Sequence, residues 1–200
     1  MLIIFFGEGQ NMWTEEQIDT YLKENLKEDR YNHVISVKET AVKLAEKYSV
    51  DVYKAKIAAL CHDCAKNMSD NELLNMIKEH NINLDWISLK NLQITHGLVA
   101  TIIMREKMGI EDIDILNAVK YHTTGRNNMS MLEKIIYLAD IIEPLRGFNG
   151  VERLRKLALI DIDKAMIESL NSTIQYVVSK GELLHIDTVI ARNCLVNDKL

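Results

Sequence analysis

The sequence predicts an all-α protein, and three observations carry that reading. Apolar residues recur at helical spacing almost throughout, nothing alternates convincingly with a period of two, and eight Gly with one Pro leave little room for turns. Two hundred residues at 48% hydrophobic composition suffice for one sizeable core. No repeat, low-complexity tract or Gly/Ser linker divides the chain. A single-domain helical bundle over residues 12–200 is therefore expected, with 1–11 as an N-terminal extension because Met12 offers a second start.

Each element has its own signal. "HVISVKETAVKLAEKY" (33–48) places Val37, Ala41, Leu44 and Ala45 on one stripe. "DVYKAKIAALCHDCAK" (51–66) reads as a continuous, mostly apolar helix, as expected at the centre of a bundle. Ser69 with Glu72, and Ser130 with Glu133, fit capping boxes ahead of apolar runs. Residues 95–109 form a helix with Gly109 at C′, and 111–122 another that ends near Gly125. Residues 130–144 are stopped by the single proline, Pro144. Segments 150–180 and 186–197 read as two or three further helices with Gly181 between them.

The formal charge is −5, with 26% charged residues. Such a chain is a poor electrostatic partner for a nucleic-acid backbone or an anionic membrane, so a polyanionic ligand needs local cations or a metal. The opening "MLIIFF" is too short for a signal h-region or a membrane span, and three Cys is an odd count for a disulfide framework. A reduced, cytoplasmic protein is expected, with no nucleic-acid or membrane partner. The sequence is silent on oligomeric state, and a homodimer stays open.

The segment "ALCHDCAK" (59–66) poses the chemical choice. Cys61 and Cys64 have the spacing of a redox dithiol or half a zinc site, with His62 and Asp63 between them. A redox C-x-x-C opens a helix after a strand, where the helix N-terminus stabilises a thiolate. Here the thiols are expected deep in an apolar helix, and Cys194 stands alone as the third. The cysteines are read as core. His62 and Asp63 instead have candidate co-ligands at intervals along the chain: His33, His96, His122 and Asp140. Asp140 falls in the apolar "KIIYLADIIEP", where a solitary carboxylate would be costly to bury and a cation would offset the cost. Imidazoles with carboxylates suit iron, manganese, zinc or nickel rather than calcium. On spacing alone, ordinary helix-end histidines remain an equal alternative, and His80 in "KEHNIN" is read that way.

The order H…HD…H…H…D resembles the HD superfamily of metal-dependent phosphohydrolases. The words "YNHVISVKETAVKLAEKY", "AALCHDCAKNMS", "THGLVA", "VKYHTTGRNNMSMLEKIIYLADIIEPLR" and "ELLHIDTVIARN" are similar to the YqeK-type symmetrical bis(5′-nucleosyl)-tetraphosphatases, over about residues 14–193. Cys61 and Cys64 replace residues that are usually apolar or aromatic there, and Ile186 replaces a common proline. The resemblance implies a helical bundle of the HD type that hydrolyses diadenosine tetraphosphate to ADP. It implies that His33, His62, Asp63 and Asp140 bind a metal, iron above manganese, nickel or zinc. His96 and His122 then hold a second ion or contact phosphates, and Asp63 also serves the catalysis. A bound divalent ion lowers the pKa of its water to about 7 and polarises a phosphoryl oxygen. Lys66, about one helical turn beyond Asp63, and Arg146, just past Pro144, are placed to bind phosphate. Ser36, Thr124, Gly125 and Arg126 are candidate nucleotide contacts, and "ERLRK" (152–156) reads as a solvated helix face. Two rivals stay open: another HD-type phosphohydrolase (acting on nucleoside monophosphates, cyclic nucleotides or guanosine tetraphosphate) and a non-catalytic nucleotide-binding metal module.

Overall fold

The computed structural model describes residues 12–198, so the expected extension at 1–11 lies outside the described residues. Among these residues there is no strand. The helices are α1 (Glu15–Asn25), α2 (Glu28–Lys47), α3 (Val52–Cys61), α4 (Asp70–Glu79), α5 (Trp86–Lys90), α6 (His96–Glu106), α7 (Ile113–Lys120), α8 (Met131–Ile142), α9 (Val151–Ala158), α10 (Ile162–Ser179) and α11 (Ile186–Asn197). A short 3-10 turn, Leu92–Thr95, leads into α6. No helix here is long and apolar enough to cross a membrane.

Both capping boxes form as expected. The Ser69 and Ser130 hydroxyls accept the backbone N–H of Glu72 and Glu133, whose carboxylates reach back to the cap. A third box, Thr14 with Gln17, starts α1, a helix the apolar pattern alone did not mark. Gly109, Gly125 and Gly181 all adopt positive φ at the helix exits where they were expected to break the chain.

The helix expected over 51–66 is shorter. It stops at Cys61, and residues 62–67 form turns. Cys61 thus closes a helix, and Cys64 sits in a turn rather than deep within a helix. Both remain buried, and burial pushes the Cys61 thiol up to about 12 and Cys64 well above its usual range. Neither is a thiolate near neutrality, so the core reading of the cysteines stands.

α3 is the central element. It packs on α1, α2, α7 and α8, and Ala55, Ile57, Ala58, Ala59 and Leu60 are all fully buried. The expected stripe of α2 (Val37, Ala41, Leu44, Ala45) faces this core. Small residues bring the backbones close. At Gly97, at the start of α6, a Cβ would come within 2.9 Å of the Lys120 carbonyl oxygen and 3.1 Å of that of Val119. α6 therefore touches the end of α7 backbone to backbone, which sets His96 beside His122.

Gly97→Ala is expected to force these two helix ends apart at a cost of about 1–3 kcal/mol, the range for overpacking. Chemical denaturation of the two proteins measures it, and an unchanged midpoint would mean that the contact is slack.

Candidate metal centre

Helix ends deliver the ligands. His62 follows the last residue of α3, His96 opens α6, and His122 lies two residues beyond α7. Each imidazole points its Nδ1 at the carbonyl three residues earlier: Ala59 at 2.7 Å, Gln93 at 2.6 Å and Val119 at 2.8 Å. A carbonyl only accepts, so each Nδ1 carries the proton and each Nε2 keeps a lone pair. Ala59 and Val119 belong to the last turns of their helices, whose carbonyls have no intrahelical donor. One local contact thus occupies a helix-end carbonyl and sets a tautomer.

His33 is oriented differently. It lies in the second turn of α2, and its Nδ1 donates to Glu143 Oε1 at 3.1 Å. Glu143 directly precedes Pro144, which disfavours the helical conformation there; its ψ of 153° ends α8 and turns its side chain inward. Glu143 Oε2 also accepts the Leu145 N–H at 2.6 Å, and the carboxylate takes a hydrogen bond from Ser36.

Asp63 is the hub. Its side chain is 3% exposed, with Oδ1 at 3.0 Å from His96 Nε2 and 3.7 Å from His122 Nε2. Oδ2 lies 3.5 Å from His62 Nε2 and 3.8 Å from His33 Nε2. Arg30, on the first turn of α2, donates to Oδ2 at 2.8 Å. Asp140 Oδ1 is 3.0 Å from His33 Nε2, but its side chain is 18% exposed and it pairs with Arg146 at 2.6 Å. It is neither fully buried nor solitary, contrary to expectation.

These positions fit a cation. The Nε2 atom of His62 is buried and makes no hydrogen bond, and that of His33 faces carboxylate oxygens of Asp140 and Asp63 at 3.0 and 3.8 Å. His96 Nε2 and His122 Nε2 face each other at 3.2 Å, both as lone pairs. Three sets of donors each fall within 4.8 Å: His33, His62 and Asp63; His62, His122 and Asp140; Asp63, His96 and His122. Nitrogen and carboxylate donors of this kind suit a divalent transition ion.

Burial and mutual charge set the protonation. Burial lowers His62, and burial with the charges of His62 and His96 lowers His122 to about 3. Burial pushes Asp63 up, but His62, His96 and His122 outweigh it and hold the carboxyl well below its usual range. Burial likewise raises Asp140, and His33, followed by His62, outweighs it in the same sense. Burial lowers Lys66, whose Nζ is 3.5 Å from His96 Nδ1.

The other sequence candidates divide. Lys66 and Arg146 flank the cluster, and Ser36 reaches it only through Glu143. Arg126 does not reach it: Nε and Nη2 donate to Glu133 Oε1 at 2.9 and 2.8 Å, completing the α8 cap. Gly125 is packed inside, where a Cβ would meet Ala191 at 2.9 Å. Thr124 lines a separate cavity of about 210 Å³ with His185 and Asp187. "ERLRK" is not a solvated face throughout, because Arg155 donates to the carbonyls of Ile142, Glu143 and Arg146 and so ties down the turn that carries Arg146. His80 is a satisfied helix-end histidine, bonded to Met76 O and Glu106. The sequence reading missed Arg30 and Glu143. Their only signals are spacing: Arg30 is one turn before His33, and Glu143 is one turn after Asp140 and next to the proline.

The HD domain matches residues 30–145 of the chain, from Arg30 to the turn beyond Asp140. This chain belongs to the HD domain family. It is 44% identical to a symmetrical bis(5′-nucleosyl)-tetraphosphatase of Halalkalibacterium halodurans, over 88% of this chain and 93% of that protein. It is 39% identical to the protein of that name in Bacillus subtilis (88% and 94% covered) and 36% identical to that in Staphylococcus aureus (89% and 92%). The crystal structure of a predicted HD superfamily hydrolase involved in NAD metabolism from Clostridium acetobutylicum superposes with a TM-score of 0.91 at 45% identity, covering 94% of this chain and 99% of that one. The expected all-α HD bundle and hydrolase assignment hold.

Two outcomes follow from the cluster. Purified protein is expected to carry a transition metal that elemental analysis no longer finds in His62→Ala or Asp140→Ala; equal content in variants and parent would remove the assignment. The chelated protein is expected to lose stability on acidification. A histidine whose folded pKa is depressed stabilises fully above its unfolded value of about 6.5 and loses that contribution as protons enter the unfolded chain below it. For His122 the window runs from there down to about 3. Denaturation midpoints of the metal-free protein between pH 7 and pH 4 test this, and a flat profile would contradict it.

Proposed function

We propose that the chain hydrolyses dinucleoside tetraphosphates symmetrically, diadenosine tetraphosphate to two ADP. The observation that carries this is the buried His/Asp cluster beside a polar cleft with two arginines, in a chain that matches nearly the full length of relatives bearing that name. The cleft holds about 340 Å³ and is lined by Asp29, Arg30, Asn32, His33, Glu143, Leu145 and Arg146. In a chain of charge −5, the two guanidinium groups of this cleft are the cations that a polyanion meets beside the cluster.

In this reading His33, His62, Asp63 and Asp140 hold the metal, with iron proposed from the family resemblance. When bound, the ion supplies Lewis acidity and an acidified water. His96 and His122 serve a second cation rather than phosphate. With both Nδ1 protons given to carbonyls, a neutral Nε2 accepts and cannot donate to a phosphate oxygen. Asp63 presents one oxygen to each half of the cluster, Oδ2 to His33 and His62 and Oδ1 to His96 and His122. Lys66 and Arg146 neutralise the leaving diphosphate, where charge grows in the transition state. Water adds to one central phosphorus, the bridging oxygen leaves with the other, and each product is a nucleoside diphosphate.

Product analysis decides among HD-type chemistries. ADP is expected as the sole nucleotide product, with heavy oxygen from labelled water in one of the two molecules; ATP with AMP would mean asymmetric cleavage and reject the reading. Lys66→Ala and Arg146→Ala are each expected to slow turnover by roughly tenfold or more, the scale of one lost transition-state contact, with metal content unchanged. Nucleotide binding without turnover under any metal would instead favour a non-catalytic module.

A further inference from the structure

A cavity of about 510 Å³ lies outside the metal cluster. Its apolar walls are Ile141 of α8, Phe148 of the α8–α9 loop, Leu154 of α9 and Tyr176 of α10. Arg146 lines both this cavity and the cleft beside His33, so the two spaces meet at this side chain. Phe148 and Tyr176, 42% and 61% exposed, both line this cavity and offer it aromatic faces. On the floor, Ser169 is 1% exposed and its hydroxyl lies beside that of buried Tyr137, which also faces Thr173, so the wall carries a small polar patch. A hydroxyl both donates and accepts, so this patch can still meet a ligand's polar edge.

We propose that this cavity is the seat of one nucleobase of the substrate, stacked between Phe148 and Tyr176 with its polar edge on Ser169, while Arg146 holds the phosphates that lead from it to the cleft. The proposal rests on the dinucleotide reading above and adds where one end of the substrate lies. The size falls within the range of small-ligand sites, which combine apolar walls with a few placed polar groups. Aromatic faces stack any base, and a hydroxyl both donates and accepts, so this end tolerates different bases. A protein segment is a poorer occupant: the cavity is deep enough to reach a buried serine and carries the Arg146 guanidinium at its edge, which suits a flat ring carrying phosphates.

Calorimetric titration of the metal-loaded protein with ADP and with inorganic pyrophosphate separates the base from its phosphates. Phe148→Ala and Tyr176→Ala alter exposed side chains away from the cluster. Each is expected to weaken ADP about tenfold or more and leave pyrophosphate unchanged, with Tyr176→Phe restoring ADP affinity. KM for the tetraphosphate should rise with kcat nearly constant. ADP affinity equal to that of the parent in both alanine variants would overturn the base site, as would equal losses for ADP and pyrophosphate. A parent protein that shows the base-dependent difference but does not cleave the tetraphosphate would leave this site standing and reject the proposed activity instead.

Discussion

A carboxylate almost sealed from water organises this protein. Asp63 is 3% exposed and lies among four imidazoles, and an uncompensated charge there would cost several kcal/mol. Within the chain itself the Arg30 guanidinium and, at longer range, the Lys66 ammonium offset that cost. The neighbouring lone pairs of His96 and His122 add a mutual repulsion, and burial disfavours a proton on His122. A divalent cation settles both problems at once. The site is thus strained without an ion and consistent with one.

The bundle meets this demand with one device used three times. His62, His96 and His122 each bond the carbonyl three residues back, at or beside the end of a helical segment. A helix end is where carbonyls are free and where a side chain can leave the cylinder toward a common centre. Three helical ends converging on one point would normally be kept apart by side chains. Gly97 removes that obstacle between α6 and α7, and the small residues of α3 do the same at the centre. The single proline acts on the fourth imidazole by ending α8, so that Glu143 turns back onto His33.

The same turn links chemistry to recognition. Arg155 binds the carbonyls of Ile142, Glu143 and Arg146, so one side chain on α9 fixes the turn that orients His33 and carries Arg146. Arg146 in turn stands between the cleft and the apolar cavity, and it also pairs with Asp140. Its guanidinium therefore already serves Asp140 of the cluster while the side chain lines both spaces.

Much of this was written in local sequence. Helical periodicity, the two serine capping boxes and the glycine exits marked most helices, because each depends on contacts within a few residues. The six candidate ligands were legible from residue type and order, and all six converge. The end of α3 was not legible: the apolar run continues to Ala65, but the chain must leave the helix at Cys61 for Asp63 to reach its partners, and that is a tertiary demand. Arg126, Arg155, Arg30 and Glu143 were equally opaque. A charged residue looks the same in sequence whether it caps a helix, ties a turn or faces an ion, and only the packing of α2, α8 and α9 decides which acceptor lies within reach.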